Sequence, residues 1–466
     1  MAVALGQIVA EKHAFSSLCW YVYQPTGKGD WYRWRLMPVG QVLGTTDESL
    51  PCIAGVSRGR VYAGSQKAIN ASDANSGFTA TGSSFGATNF YTTTFANYRE
   101  FNLPEGMTHV RLLMRTASSG NDLIKITAYT GTTEIGSTTK DPNTGYNSVG
   151  ESSWYALPSG TTKIRISKAT DNAAAIVLIG LDFLNIHSTV DPDTAGSVMY
   201  CGADVPNTTV IRDDSWSSTI QAGRTSIEFA LLWADRGGAF ADAKSAGGLS
   251  HRGINTATIA WTTQTGTDAE AEWAPSAGDR TVCDYLRMGI TTAKVYQESA
   301  CTNWRGTLTG YLLFDASGCV IDQNVAVDQG TNMDVFQMYI AMCLMNADCR
   351  YTYFHGDEQV YSLAKSSVSP QVKSSRVEVW GGGAATIYTI ELMDPLGDAA
   401  LFSKVDPTSA ARLTWVPTGP HYKLYMNYYD NTTTPLALDN GGSIGTRFAI
   451  RLRDRSLTRK HLVRLL

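Results

Sequence analysis

AAAIVLIGLDFLNI, residues 173–186, is the longest nearly unbroken apolar run in the chain, and what it becomes decides the fold. A membrane span needs roughly 20 consecutive apolar residues. This run is shorter, and Asp182 and Asn185 interrupt it. Ile176, Val177 and Ile179 are branched at Cβ, which restricts them in a helix and suits them to a pleated surface. The run therefore reads as the closing strand of a β-sandwich, buried on both faces.

Working outward, the segments before it are shorter strand candidates: TTFANYREFNL, HVRLLMRTA, LIKITAYTGTTEIGSTT, SWYAL and TKIRISKA. In Lys163-Ile164-Arg165-Ile166 the isoleucines fall on one side and the charges on the other, the period of a half-buried strand. Turn residues separate the candidates at Pro104-Glu105-Gly106, Ser119-Gly120-Asn121-Asp122, Asp141-Pro142-Asn143 and Pro158-Ser159-Gly160. Strands at this density, with no helical period between them, indicate an antiparallel jelly-roll sandwich over 95–190. Residues 1–70 read as a small β module dense in Trp20, Tyr21, Tyr23, Trp31, Tyr32 and Trp34. That excess either docks onto a neighbouring domain or subunit or fills a compact core with cation–π contacts from Arg33 and Arg35. The Ser/Thr/Gly-rich stretch 71–94 reads as a linker or arm.

Beyond the Asp191-Pro192-Asp193 turn, residues 191–453 carry about a dozen further strand candidates, enough for one large sandwich or two smaller ones. Only DVFQMYIAMCLMNA, 334–347, has the length and unbranched side chains of a helix. The expected fold is all-β: tandem antiparallel, jelly-roll-like sandwiches behind a small N-terminal module. In the basic tail, 454–466, Leu457, His461, Leu462, Leu465 and Leu466 share a helical face. The preferred reading is an arm latching onto an acidic neighbouring subunit; membrane or nucleic-acid contact is the alternative, and nucleic acid is not expected as a partner.

Composition agrees with strands and turns. Apolar residues make 43% of the 466, charged residues only 17%, and aromatics 10%, while the formal charge of -4 sets the basic tail against an acidic body. The first residues lack a basic segment before their apolar ones and meet Glu11 and Lys12 early, so no secretory signal is expected. The eight cysteines are scattered with no CxxC, consistent with buried thiols made in a reducing cytoplasm.

Candidate chemistry concentrates in YTYFHGDE, 351–358. His355 is a candidate base or metal ligand with Asp357 or Glu358 to orient it, although Gly356-Asp357 is also the signal of a polar hairpin tip. His421 is a candidate second histidine, with Glu378 or Glu391 as carboxylate, and His251 lies in a glycine-rich loop. Asp191, Asp193, Asp213 and Asp214 are hard-oxygen candidates for Ca²⁺ at loop ends. Zinc, P-loop, GxSxG and dinucleotide motifs are all missing from the sequence.

TKIRISKATDNAAAIVLIGLDFLNI resembles the last two strands of carbohydrate-binding-module jelly rolls. Tandem sandwiches, an N-terminal docking-like module and abundant Gly, Thr, Ser and aromatic residues resemble bacteriophage tail fibres, appendages and other virion surface proteins. The resemblance implies a homotrimer or higher homo-oligomer on the virion surface, N-terminal attachment to other virion proteins, and recognition of a host surface glycan. It assigns no binding residue. The competing expectations are a glycan hydrolase or lyase using His355, Asp357 and His421, and a capsid decoration protein.

Overall fold

Short alternating strands satisfy their backbone groups only by pairing with one another, and antiparallel pairing through tight turns is the shortest route. The computed structural model describes residues 6–13, 20–38, 51–71, 73, 75–84, 87–116, 123–140, 149–190, 199–201, 227–239, 241, 244–247, 263–265, 271–296, 304–328, 330, 332–344, 350–364, 367–381, 386–393, 410–416 and 421–454. Among them the protein is all-β, its strands paired antiparallel in five sheets, and there is no helix long and apolar enough to cross a membrane.

The jelly-roll sandwich has two facing sheets. The first orders Val149–Glu151, His109–Thr116, Ile176–Thr189, Val61–Ala68 and Met199–Cys201, and the second orders Thr133–Lys140, Ile124–Thr130, Lys163–Lys168, Tyr98–Asn102 and Asn75–Ser76. Ile164 and Ile166 point inward with Ile124 and Ile126, against Leu112, Leu178 and Leu181. Each such fully buried side chain contributes about 1.5–3 kcal/mol. Strand Ile176–Thr189 is covered on both faces. A bulge where Leu113 and Met114 oppose Gly180 and Leu178 lets Leu178 and Leu181 share the jelly-roll core, while Ile179 joins Val61 and Leu113 in a second, larger core.

The stretch 71–94 differs from a linker. Thr79–Ser84 pairs with Ala87–Thr92, which pairs with Ile176–Thr189, and Phe78 and Phe90 are buried in the jelly-roll core. Phe78 and Phe90 are inward residues of the Ser/Thr/Gly stretch, and its threonines suit a pleated edge. Val61–Ala68 likewise belongs to this sandwich, pairing with Ile176–Thr189, although it falls within the stretch read as the N-terminal module.

The second sandwich has a seven-stranded sheet whose main path runs Lys244–Gly247, Ile227–Asp235, Met333–Leu344, His421–Asp430, Ala410–Val416 and Val372–Lys373. The facing ten-stranded sheet runs Ala271–Glu272, Thr263–Thr265, Tyr285–Tyr296, Trp304–Asp315, Gly318–Val327, Ser443–Asp454, Thr386–Met393, Arg376–Trp380, Tyr351–Phe354 and Gln359–Ser362. One buried cluster takes Met338, Ile340, Leu424 and Met426 from the first and Leu312, Phe314, Phe448 and Ile450 from the second. The expected helix at 334–347 is instead the strand Met333–Leu344, paired on both sides. Met338, Ile340 and Met342 face the core while Gln337 and Tyr339 face out, so sheet context overrides the helical preference of unbranched residues.

The N-terminal strands form a five-stranded sheet ordered Arg280–Cys283, Ile8–Lys12, Trp20–Pro25, Trp31–Pro38 and Pro51–Gly59, its edge completed by a strand from the later part of the chain. Trp34 packs edge-on against Phe314 of the ten-stranded sheet at 5.5 Å, and Arg58 pairs with Asp454 at 2.6 Å. Tyr21 and Tyr23 are buried on the other face, with Arg33 lying 4.7 Å from the Tyr21 ring. The aromatic excess is thus absorbed within the chain, as the compact-core alternative has it.

Cys283 and Cys319 are free and buried. Burial, with Asp284 adding to it, pushes the Cys283 thiol up to about 12, and burial together with Asp315 raises Cys319 well above the ordinary thiol range. Unfolded thiols ionise near about pH 8.5. The native state therefore holds protons that the unfolded chain has released, and stability falls as pH rises from about 9 towards 12. Iodoacetamide at pH 8 is expected to leave both thiols unmodified in the native protein and to label both in urea, read by peptide mass mapping. Native labelling of Cys319 would contradict its burial.

Candidate functional site

The loop at 355–358 carries the first candidates. His355 follows the strand Tyr351–Phe354, and its Nε2 lies 3.1 Å from Oε1 of Glu378 on the neighbouring strand. Arg453 occupies the other carboxylate oxygen of Glu378, and Tyr353 meets the imidazole edge-on at 4.7 Å. Asp357 does not orient His355. Its carboxylate accepts from the Tyr361 hydroxyl at 2.6 Å and the Gln359 N–H at 3.0 Å, which makes it a turn residue. Glu358 adopts φ 55°, left-handed backbone that completes the same turn. A side chain at Gly356 would collide with the Lys373 carbonyl, so the tight packing of this turn requires glycine.

Most of the remaining candidates lie outside the described residues. His421 opens a strand of the opposite sheet, and its side chain lies outside the described residues, as do Asp191, Asp193, Asp213, Asp214, His251 and the tail 455–466. Glu391 lies opposite Arg376 in the ten-stranded sheet. Among the described residues no group of three or more His, Cys, Asp or Glu side chains is placed to hold a metal ion.

A second constellation escapes any reading by sequence neighbourhood. The outer face of the seven-stranded sheet carries a groove of about 320 Å³ lined by Gln337, Tyr339, Gln371, Arg412, Tyr425, Asn427 and Asp430. Strand pairing brings them together: Arg412 opposes Tyr425, Tyr339 opposes Asn427, and Gln337 opposes Asp430. Regular alternation would set Tyr429 across from Gln337. A bulge at Met338–Tyr339 skips Tyr428, and this places Asp430 on the groove side. Tyr428 turns into the core, where its hydroxyl donates to the Arg447 carbonyl of the ten-stranded sheet.

The groove is polar and ordered. Asp430 accepts from Gln337 Nε2 at 2.6 Å and Asn427 Nδ2 at 2.9 Å, which orients both amides with their carbonyl oxygens turned from the carboxylate. The Tyr339 and Tyr425 rings lie 6.0 Å apart at 58°, and the Arg412 guanidinium lies 5.0 Å from the Tyr425 ring. Directional donors and acceptors beside half-exposed tyrosine faces are suited to a ligand with hydroxyls on its rim and C–H groups on its faces. A greasy ligand would strip water from these groups without replacing their hydrogen bonds.

No protein-family model matches the chain, and no curated protein matches it. Among solved structures it is similar to the Slr1438 protein from Synechocystis sp. PCC 6803, with 9% identity and a TM-score of 0.31 over 51% of this chain and 81% of that one. A likeness at that level carries no argument.

Proposed function

We propose that the chain is a bacteriophage virion surface protein, a tail-fibre or appendage component, that binds a host glycan in the groove of its seven-stranded sheet. The observation that carries the glycan reading is the groove itself: Gln337, Asn427, Asp430, Gln371 and Arg412 supply hydroxyl-reading groups around Tyr339 and Tyr425. The virion setting rests on the resemblance of the tandem sandwiches to tail-fibre and appendage proteins.

Full-length protein applied to a glycan array, with the strongest hit titrated by calorimetry, tests the binding reading. Tyr425→Ala removes a stacking face and the ring beneath Arg412, and is expected to weaken binding about tenfold. Asn427→Ala removes one donor to Asp430 and one acceptor, with an expected loss of several-fold. Both positions point outward, so unfolding midpoints stay within about 0.5 kcal/mol of the parent. Retention of a glycan unchanged by both variants would move the site elsewhere, and no retention on a broad array would remove the glycan reading.

One observation favours a second reading, glycan cleavage: the His355–Glu378 pair at 3.1 Å is an imidazole held by a carboxylate. Release of reducing ends from a host polysaccharide, lost in His355→Ala, would establish it. Unchanged release in that variant would exclude this pair.

A further inference from the structure

The groove has two chemically different ends. At one, Asp430 accepts from the Gln337 and Asn427 amides, whose carbonyl oxygens offer further acceptors. At the other, Arg412 is exposed and its contact among the described residues is the Tyr425 ring, with no carboxylate paired to it. Several other arginines do have a carboxylate: Arg165 pairs with Glu100, Arg236 with Asp334, and Arg453 with Glu378. Gln371 adds an exposed amide beside Arg412 in the groove lining.

Asp430 does not cancel the Arg412 charge. It stands five positions from Tyr425 along one strand, about 15 Å at the rise of an extended chain. Exposed charges that far apart are screened at physiological salt, where the Debye length is about 8 Å. A guanidinium held against an aromatic face, with its N–H fork unoccupied, is pre-organised for a planar oxyanion.

We infer that the groove takes an anionic saccharide, its carboxylate or sulfate oxygens on Arg412 and its hydroxyls on Asp430, Gln337 and Asn427. This rests on the glycan reading of the same groove and narrows it to acidic sugars.

The test titrates the full chain with an oligogalacturonate, the same oligosaccharide after carboxyl reduction, and a sulfated galactan fragment. Loss of the charged contact is expected to weaken binding of the carboxyl-reduced form by about tenfold to a hundredfold. Arg412→Gln should show the same loss on the acidic ligands and should no longer distinguish the reduced form. Arg412→Lys keeps the charge without the fork and should fall between. Raising NaCl should weaken acidic-ligand binding in the parent far more than in Arg412→Gln. Preference for oligogalacturonate or for the sulfated fragment identifies which oxyanion is read. Equal binding of acidic and reduced sugars would overturn the inference and leave the glycan reading standing. Failure of every saccharide, on the array as in titration, would remove both. The reduction arm uses the unmutated chain, so it does not depend on any variant folding.

Discussion

Asp182→Ala is expected to destabilise the protein by about 3–5 kcal/mol, the cost of stranding a buried charge without its partner. Asp182 lies on the central strand Ile176–Thr189, on the side turned away from the jelly-roll core, opposite Arg111. The Arg111 guanidinium sends Nε at 2.7 Å and Nη2 at 2.6 Å onto Asp182 Oδ2, and its carbon lies 4.9 Å from the Trp154 ring. Arg111 is 2% exposed, so once the carboxylate is gone, water does not replace it. Asp182→Asn keeps an acceptor and should cost less than Asp182→Ala. The double replacement Arg111→Met with Asp182→Leu removes both charges and should recover most of the loss, since buried pairs often exchange for apolar ones at little net cost. Urea unfolding, followed by a jelly-roll probe such as Trp154 fluorescence, reads the shift in midpoint at constant slope. A loss below about 1 kcal/mol would mean that solvent reaches the pair.

The same strand marks how far the sequence could be read. Its lack of alternation meant burial on both faces, and the larger core lies on one side of it and the jelly-roll core on the other. The alternation at Lys163–Ile166 was equally plain, because a half-buried strand writes its two faces directly into neighbouring residues. Met333–Leu344 was misread because its methionines, glutamine and alanine have no strong β preference and dilute Val335, Phe336, Tyr339 and Ile340, which do, and the strands on either side supply the missing constraint. The groove was not legible at all. Gln337, Gln371, Arg412 and Asn427 are separated in sequence, each looking like the ordinary wet face of a strand, and only strand register plus one bulge assembles them. His355 shows the same limit on a smaller scale. Sequence neighbours suggested Asp357 or Glu358, whereas its carboxylate comes from Glu378 across the sheet, next to the strand it follows.

Trp34→Ala is expected to cost about 3–5 kcal/mol, the range for truncating a large buried aromatic into a cavity. Trp34 is fully buried, with Phe314 against its ring and its indole N–H donating to Gln24 Oε1. Gln24 in turn donates to the Gly318 carbonyl at 2.9 Å, so the indole anchors an amide that stitches the N-terminal sheet to a hairpin of the ten-stranded sheet. Removing the ring empties the contact with Phe314 and leaves the Gln24 carbonyl without its donor. Trp34→Phe separates these terms: it keeps much of the apolar contact, loses the hydrogen bond, and should cost about 1–3 kcal/mol. Hydrogen exchange gives the readout that a general loss of stability would not. The amides of Trp20–Pro25 and Trp31–Pro38 should lose protection before those of Lys163–Lys168, whose core is the separate jelly-roll cluster. If all three strands lost protection together, the N-terminal sheet and the jelly roll would open as one cooperative unit, joined through Ile179, Val61 and Leu113, and the Trp34 anchor would be holding the whole chain instead of one layer.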